Sequence, residues 1–413
     1  MRPSSARKTS TYDGGTNQRR HKPDYMLVVA SALLLVIGLI VVYSISPGLA
    51  AQRNLSENYY ITKQLTAILL GSVVFVIVAN IPLNKLKQLK RPLIIGAGAA
   101  TLVALALPVT PEYPAHRWIR FAGLSLQSVE LIKCALLVWL AAFLANRVRS
   151  GNIDNQIATF KPLLIVLGVL GVVVAVLQRD LGSAGVLVAM LIAMVYVAGM
   201  PIKRLIAIGG ILVASFFLLT LPFAYRRDRV TTFLNPEQDC QASGYQACQA
   251  LIAVGSGGMF GKGLAHSVQA YGYLPEAAND SIFAIYSEKF GFLGSALLIT
   301  LFALFFTRLK NIMERAPDLF SRLLVTGVLA WLSTQTIINI GAMIGLLPLK
   351  GITLPFISYG GTSIIFVLAA VGLVFNISRY TTYGANTELE TGPEAAKRPM
   401  TRAGYGAYTT RRP

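Results

Sequence analysis

Ten apolar runs, each close to the ~20 residues that carry an α-helix across a bilayer, dominate this chain and restrict it to one kind of fold. They cover roughly 26–46, 61–81, 93–109, 127–146, 163–178, 183–200, 203–222, 281–306, 322–346 and 361–380. A bilayer interior has no water to satisfy a lone backbone, so such runs must be helices. The expected fold is therefore an all-α integral membrane protein with ten transmembrane helices. A charged fraction of 13% against 54% hydrophobic residues agrees, since a soluble chain carries about 25% charged residues. Buried helices of a large soluble enzyme fit poorly, because too many runs have spanning length.

The net charge of +19 invites a nucleic-acid reading, but its placement argues for topology. With the N-terminus inside, most of the lysines and arginines fall on the inner side. They include Arg19, Arg20 and Lys22, Lys85, Lys87, Lys90 and Arg91, Lys203 and Arg204, and Arg308, Lys310 and Arg315. That is the positive-inside bias of membrane proteins. Both termini are then cytoplasmic, and no nucleic-acid partner is expected. The first apolar run is too long, and begins too far behind a basic tail, to read as a cleavable signal. Residues 1–24 and 381–413, polar and rich in Ser, Thr, Gly and Arg, read as disordered cytoplasmic tails flanking a membrane domain over 25–380.

One long polar segment, 223–281, joins the seventh and eighth runs and lies outside in this topology. Connections of that length tend to be functional. It holds Tyr225-Arg226-Arg227-Asp228-Arg229, Gly255-Ser256-Gly257-Gly258, Gly261-Lys262-Gly263, Tyr273-Leu274-Pro275-Glu276 and Asp280. Cations, glycines and carboxylates beside a bilayer suit a substrate with phosphate, sugar and lipid parts. The glycine run is not a nucleotide-binding P-loop: Ser256 and Gly263 stand where that pattern needs Gly and Ser or Thr. The glycines either present backbone N–H groups to phosphate or permit loop movement. Cys240 and Cys248 share the loop, where an oxidising compartment permits a disulfide; spacing alone leaves that open. Cys134 reads as small core packing.

Other external chemistry lies at His116-Arg117-Trp118-Ile119-Arg120, which reads equally as an interfacial anchor. Glu130 and Lys133 follow, three apart on one helix face. Ionisable groups at membrane depth are costly unless paired or lining a cavity, and they mark function by default; a purely structural salt bridge is the alternative. Gln178-Arg179-Asp180-Leu181-Gly182 forms a tight turn. The Leu347–Gly361 stretch, with Pro348, Pro355 and several glycines, cannot be one helix. It reads as a re-entrant or broken segment, tolerated at depth only when buried or lining a cavity.

Together these blocks resemble the SEDS family (shape, elongation, division and sporulation), polytopic peptidoglycan glycosyltransferases. The resemblance covers about 25–380. It rests on Arg117-Trp118, Gln127…Glu130…Lys133, Gln178…Asp180-Leu181-Gly182, Tyr225-Arg226-Arg227…Arg229, Gly244-Tyr245-Gln246, Gly255–Gly258, Tyr273–Glu276…Asp280 and Leu354–Gly361. Lys350-Gly351 and the Tyr-Arg-Arg-x-Arg cluster are more like the division branch than the elongation branch. The chain departs from the family at Ser128-Val129, at Arg179, at Ala278-Asn279 in place of His-Thr, and at Ser287-Glu288-Lys289 in place of Gly-Glu-Glu.

The resemblance implies polymerisation of lipid II, a lipid-diphosphate-linked disaccharide-pentapeptide, at the outer face of the cytoplasmic membrane, with inversion. It implies Asp280 as general base, although by position alone an aspartate opening a helix reads first as an N-cap. Arg226, Arg227, Arg229 and Lys262 become candidates for the pyrophosphate, since guanidinium forks bind phosphate oxygens; attraction to lipid headgroups is the plainer reading. Glu276, Glu130, Lys133, Trp118, Arg117 and Lys350 would line the substrate cavity. No nucleotide or redox cofactor is required, while a divalent cation (Mg or Mn) could bridge carboxylate and diphosphate in such a site. Implied partners are a class B penicillin-binding protein transpeptidase, divisome proteins at the septum and membrane lipid. An elongation role, a lipid II flippase and an inactive scaffold are the alternatives.

Overall fold

The computed structural model describes residues 19–20, 22–108, 116–121, 124–220, 240–241 and 244–381. The helices are α1 (Tyr25–Gln52), α2 (Tyr59–Asn80), α3 (Leu83–Gln88), α4 (Lys90–Ala106), α5 (Ser128–Arg149), α6 (Lys161–Leu170), α7 (Leu181–Val197), α8 (Ile202–Thr220), α9 (Tyr245–Ser256), α10 (Ile282–Glu314), α11 (Leu319–Met343) and α12 (Gly361–Ser378). π-helical turns at Gln156–Phe160 and Gly171–Leu177 extend α6 at both ends. All ten apolar stretches fall on helices. Among the described residues, seven helices are long and apolar enough to cross a membrane: α1, α2, α5, the extended α6, α10, α11 and α12. α7 is apolar but shorter, at 17 residues.

Helix ends depart from the sequence expectation where local chemistry allows. α1 runs through Pro47 to Gln52 rather than stopping near residue 46; its start is capped by Asp24, which accepts from the Leu27 N–H at 3.2 Å. A hairpin of β2 (Trp118–Phe121) and β3 (Leu124–Gln127) precedes α5, with Trp118 opposite Gln127. At the chain ends, β1 (Arg19–Arg20) pairs antiparallel with β4 (Tyr380–Thr381), so part of the stretch expected as a loose tail is a strand. The Asp24 N–H also donates to Ser378 Oγ at 3.1 Å. Both ends of the described chain therefore meet at one face.

α5, α7, α11 and α12 form the interior, with Leu140, Leu144, Met190, Trp331, Leu332 and Val374 buried. α2 packs so tightly on α12 that a Cβ at Gly372 would lie 2.7 Å from the Phe75 carbonyl oxygen. Much of the α2 surface faces outward, as a lipid-contacting helix should.

α10, at 33 residues, is broken at Gly291 (φ 66°, ψ −164°). Its first nine residues are nearly all buried, whereas beyond the break Phe292, Leu293, Leu297 and Leu304 point outward. Residues 291–314 alone reach about 36 Å at 1.5 Å per residue, enough to cross the hydrocarbon core. The break leaves backbone groups without helical partners, and the glycine run supplies them. Phe292 N–H donates to the Gly258 carbonyl (2.8 Å) and Leu293 N–H to that of Met259 (3.1 Å); Lys262 and Gly263 N–H donate to Glu288 and Lys289 (2.9 and 3.0 Å). Two of these glycines, Gly257 and Gly261, serve close packing of the loop on α10. A Cβ at Gly257 or Gly261 would lie 2.1 or 2.2 Å from a carbonyl oxygen of α10, so glycine is what lets the two backbones meet.

Candidate active site

The segment between α11 and α12 is non-helical, as its prolines require, and its second half is buried. Ile352, Leu354, Phe356, Ile357 and Ser358 are all buried. It descends far enough that a Cβ at Gly38, midway along α1, would meet the Phe356 carbonyl oxygen at 2.6 Å. Its backbone polar groups are satisfied from the surrounding helices, the condition for irregular chain at this depth. Gln64 Nε2 donates to the Ser358 carbonyl (3.3 Å) and Gln335 Nε2 to that of Thr353 (2.9 Å).

Asp280 lies beside this segment, on the turn before α10 and on the face opposite the chain ends. Ser281, not Asp280, is the N-cap residue of α10, and no side-chain cap bond closes the helix there. The aspartate is held through its backbone, as are its neighbours. Tyr359 N–H donates to the Ala278 carbonyl (2.8 Å), Ser358 Oγ to that of Asn279 (2.6 Å) and Asn339 Nδ2 to that of Asp280 (2.7 Å). Because carbonyls carry these bonds, the anchoring tolerates Ala278-Asn279 as side chains. On the same turn Glu276 is exposed at φ 52°, its carboxylate accepting from Asn279 Nδ2.

Gly351 marks where separate blocks converge. The point a Cβ would occupy there lies 3.6 Å from Asp280 Oδ2 and 3.8 Å from Arg117 Nη2. Arg117 in turn pairs with Asp180 at 3.2 Å. Asp180 is buried and fully employed: Gln127 Nε2 donates to it at 3.2 Å, and it caps α7 by accepting from Ser183 N–H and Oγ at 2.9 Å each. Gly182, just beyond, accommodates the Lys350 and Ile352 side chains. Arg117 and Asp280 are thus brought together at Gly351, the residue after Lys350. Trp118 sits next to Arg117 on β2, half-buried.

Glu130, Lys133 and Lys262 have partners of their own. Glu130 and Lys133 are both buried and joined at 2.9 Å. Lys133 Nζ also donates to Gln335 Oε1 (3.2 Å) and lies 5.0 Å from the Trp331 ring centroid, so it is committed to the interior. Lys262 pairs at 3.2 Å with Glu288, a fully buried carboxylate. Glu288 accepts also from Ser267 Oγ (2.5 Å), Val268 N–H (2.9 Å) and Gln269 N–H (3.2 Å), pinning the loop to α10. Arg226, Arg227 and Arg229 lie outside the described residues. Cys240 and Cys248 are joined by a disulfide. Among the described residues, no three His, Cys, Asp or Glu side chains gather as a metal site.

Sequence reading missed Asn339 and Ser358 as site residues. The available signal was an amide and a hydroxyl on segments otherwise committed to a membrane interior, where each must find a partner.

Comparison with known proteins agrees with this architecture. The model of the FtsW/RodA/SpoVE family of cell cycle proteins matches residues 24–383. Stage V sporulation protein E of Bacillus subtilis is 36% identical over 88% of this chain and 99% of its own length. A probable peptidoglycan glycosyltransferase FtsW of a Thioalkalivibrio species is 37% identical, covering 87% and 90%. Among solved structures, the rod shape determining protein RodA of Thermus thermophilus superposes with a TM-score of 0.63 at 26% identity, covering 86% and 97%. A chain from a peptidoglycan synthase complex that coordinates polymerization and crosslinking superposes at 0.68, also at 26% identity, covering 86% and 98%. With the family model spanning its whole membrane domain, this chain belongs to the FtsW/RodA/SpoVE family.

Proposed function

We propose that this chain is a peptidoglycan glycosyltransferase that polymerises lipid II at the outer face of the cytoplasmic membrane. The observation that carries the reading is the meeting of Asp280 Oδ2 and Arg117 Nη2 within 4 Å of one point over Gly351. In the proposed step, a sugar 4-hydroxyl of one substrate attacks the anomeric carbon of the other in line with the departing lipid diphosphate. A carbon–oxygen bond forms as the bond to diphosphate breaks, and configuration inverts. Asp280 takes the hydroxyl proton, a contribution of ~10²–10⁴-fold for a well-placed base. Cations stabilise the departing diphosphate: Arg117 and Lys350 beside the aspartate, with Arg226, Arg227 and Arg229 from the adjoining loop. The donor is already activated, so no nucleotide or redox cofactor enters.

Ten spans with both termini cytoplasmic fit the meeting of the chain ends at one face. Lys85, Lys87, Lys90 and Arg91 follow α2 at that same face, in keeping with the positive-inside bias. The opposite face, which carries Asp280 and the Cys240–Cys248 disulfide, is then the oxidising one. The relatives named FtsW favour a division role at the septum, together with divisome proteins and a class B penicillin-binding protein.

Asp280→Ala in purified protein should abolish glycan ladders from labelled lipid II while leaving the melting profile in detergent unchanged. Normal ladder formation by this variant would refute the base assignment. Movement of lipid II between leaflets without polymer, by the parent protein in vesicles, would instead establish a flippase. Repeating the assay with a chelator decides whether a divalent cation takes part.

A further inference from the structure

We infer that Asn339 is a positioning residue for Asp280, setting the distance between the aspartate and the re-entrant wall at Gly351. The inference rests on the reading of Asp280 as the base. Asn339 is buried on α11, and its Nδ2 donates at 2.7 Å to the Asp280 carbonyl and at 2.7 Å to the Ile352 carbonyl. A primary amide nitrogen has two N–H bonds, and both are used here. One accepting carbonyl belongs to the aspartate itself and the other to the residue that follows Gly351. The amide therefore ties the backbone of Asp280 to that of the segment at Gly351, the point near which Asp280 Oδ2 and Arg117 Nη2 both lie.

Neighbouring polar groups bond at other points along the two backbones. Gln335, one helical turn earlier on the same face of α11, donates only to the re-entrant segment, at Thr353. Ser358 and Tyr359 hold the carbonyls of Asn279 and Ala278, one and two residues before the aspartate. The N-cap of α10 falls to Ser281, so the helix start does not fix the Asp280 side chain. Chemistry restricts the position: Asp would offer only acceptors to two carbonyls, Leu or Ala would leave both unbonded, and Lys would bury a charge.

A structural role and a positioning role can be separated, because the fold contains a matched pair. Asn376 on α12 is also buried, and its Nδ2 also bridges two carbonyls, Val78 (3.2 Å) and Ile81 (2.6 Å), at the face of the chain ends. The experiment uses full-length protein carrying Cys134→Ala and Asp280→Cys, with the disulfide intact. The rate of labelling at position 280 by a small soluble maleimide is measured with Asn339→Ala, Asn339→Gln or Asn376→Ala added. In parallel, the same changes are made with Asp280 retained, and lipid II polymerisation is followed on the monodisperse fraction.

Asn339→Ala should change the labelling rate at least fivefold and lower kcat at least tenfold with KM shifted less than threefold. Asn339→Gln, which keeps the amide, should recover part of both. Asn376→Ala should leave labelling and kcat within twofold. Equal labelling in all variants, or a kcat loss no greater for Asn339→Ala than for Asn376→Ala, overturns the positioning role. Retained activity of Asp280→Ala would sink the base assignment instead, and the labelling rates would still report whether Asn339 holds position 280.

Discussion

A methyl group at Gly261 would lie 2.2 Å from the Lys289 carbonyl oxygen, on a backbone already at φ +82°, whereas Gly258 (φ +54°) has nothing within 4 Å of its missing Cβ. Gly258→Ala therefore costs only the left-handed backbone, roughly 1–2 kcal/mol, while Gly261→Ala must also part the loop from α10. The expected result is a clearly larger drop in detergent melting temperature for Gly261→Ala; equal drops would contradict the backbone-contact account. Glu288 and Lys262 are an unequal pair in the same way. Removing Lys262 leaves Glu288 with hydrogen bonds from Ser267, Val268 and Gln269. Removing Glu288 strips the loop of all of them.

At the scale of elements, Glu288 is the latch between α10 and the 258–271 loop. Breaking one partner of a buried pair costs ~3–5 kcal/mol; Glu288→Ala should fall near the lower figure, because Lys262 can turn to water. Trypsin should then cut after Lys262 several-fold faster in Glu288→Ala than in the parent, read by mass spectrometry. Lys262→Met should affect melting less. If Lys262→Met proves as damaging as Glu288→Ala, the carboxylate's remaining donors are not what holds the loop. The re-entrant Leu347–Gly360 stretch is a second element held by side-chain amides, from Gln64, Gln335 and Asn339. It is polar architecture inside an apolar bundle, which is why single substitutions there should act at a distance.

For the molecule as a whole, the chain ends pair at one face and Asp280 lies toward the other, which is where the proposed topology puts the outside. The disulfide provides a test of orientation. After mild reduction of intact cells, an impermeant maleimide should label Cys240 and Cys248 without permeabilisation, in Cys134→Ala protein. Labelling only after permeabilisation would invert the proposed topology. Spanning runs and the turn-rich 347–361 stretch could be read from residue order, since length, hydropathy and proline content are local properties. The Glu130–Lys133 pair was legible too, from helical spacing alone. Lys262 was not: its attraction to a phosphate site is natural in sequence, yet its partner Glu288 is 26 residues away and buried on another element.

The order of residues alone determined that this chain is a helical membrane protein, where its apolar stretches fall, and which motif blocks ally it with the FtsW/RodA/SpoVE family. Apolar length is a property each segment carries by itself. Only the tertiary structure decided that Arg117, Asp180, Asp280 and Gly351 share one corner, that the glycine run repairs a broken helix, and that Asn339 bridges the aspartate to the re-entrant wall. Those outcomes depend on which backbone carbonyls and N–H groups a buried polar group can reach. The bilayer demands that such partners be found, and packing alone chooses them.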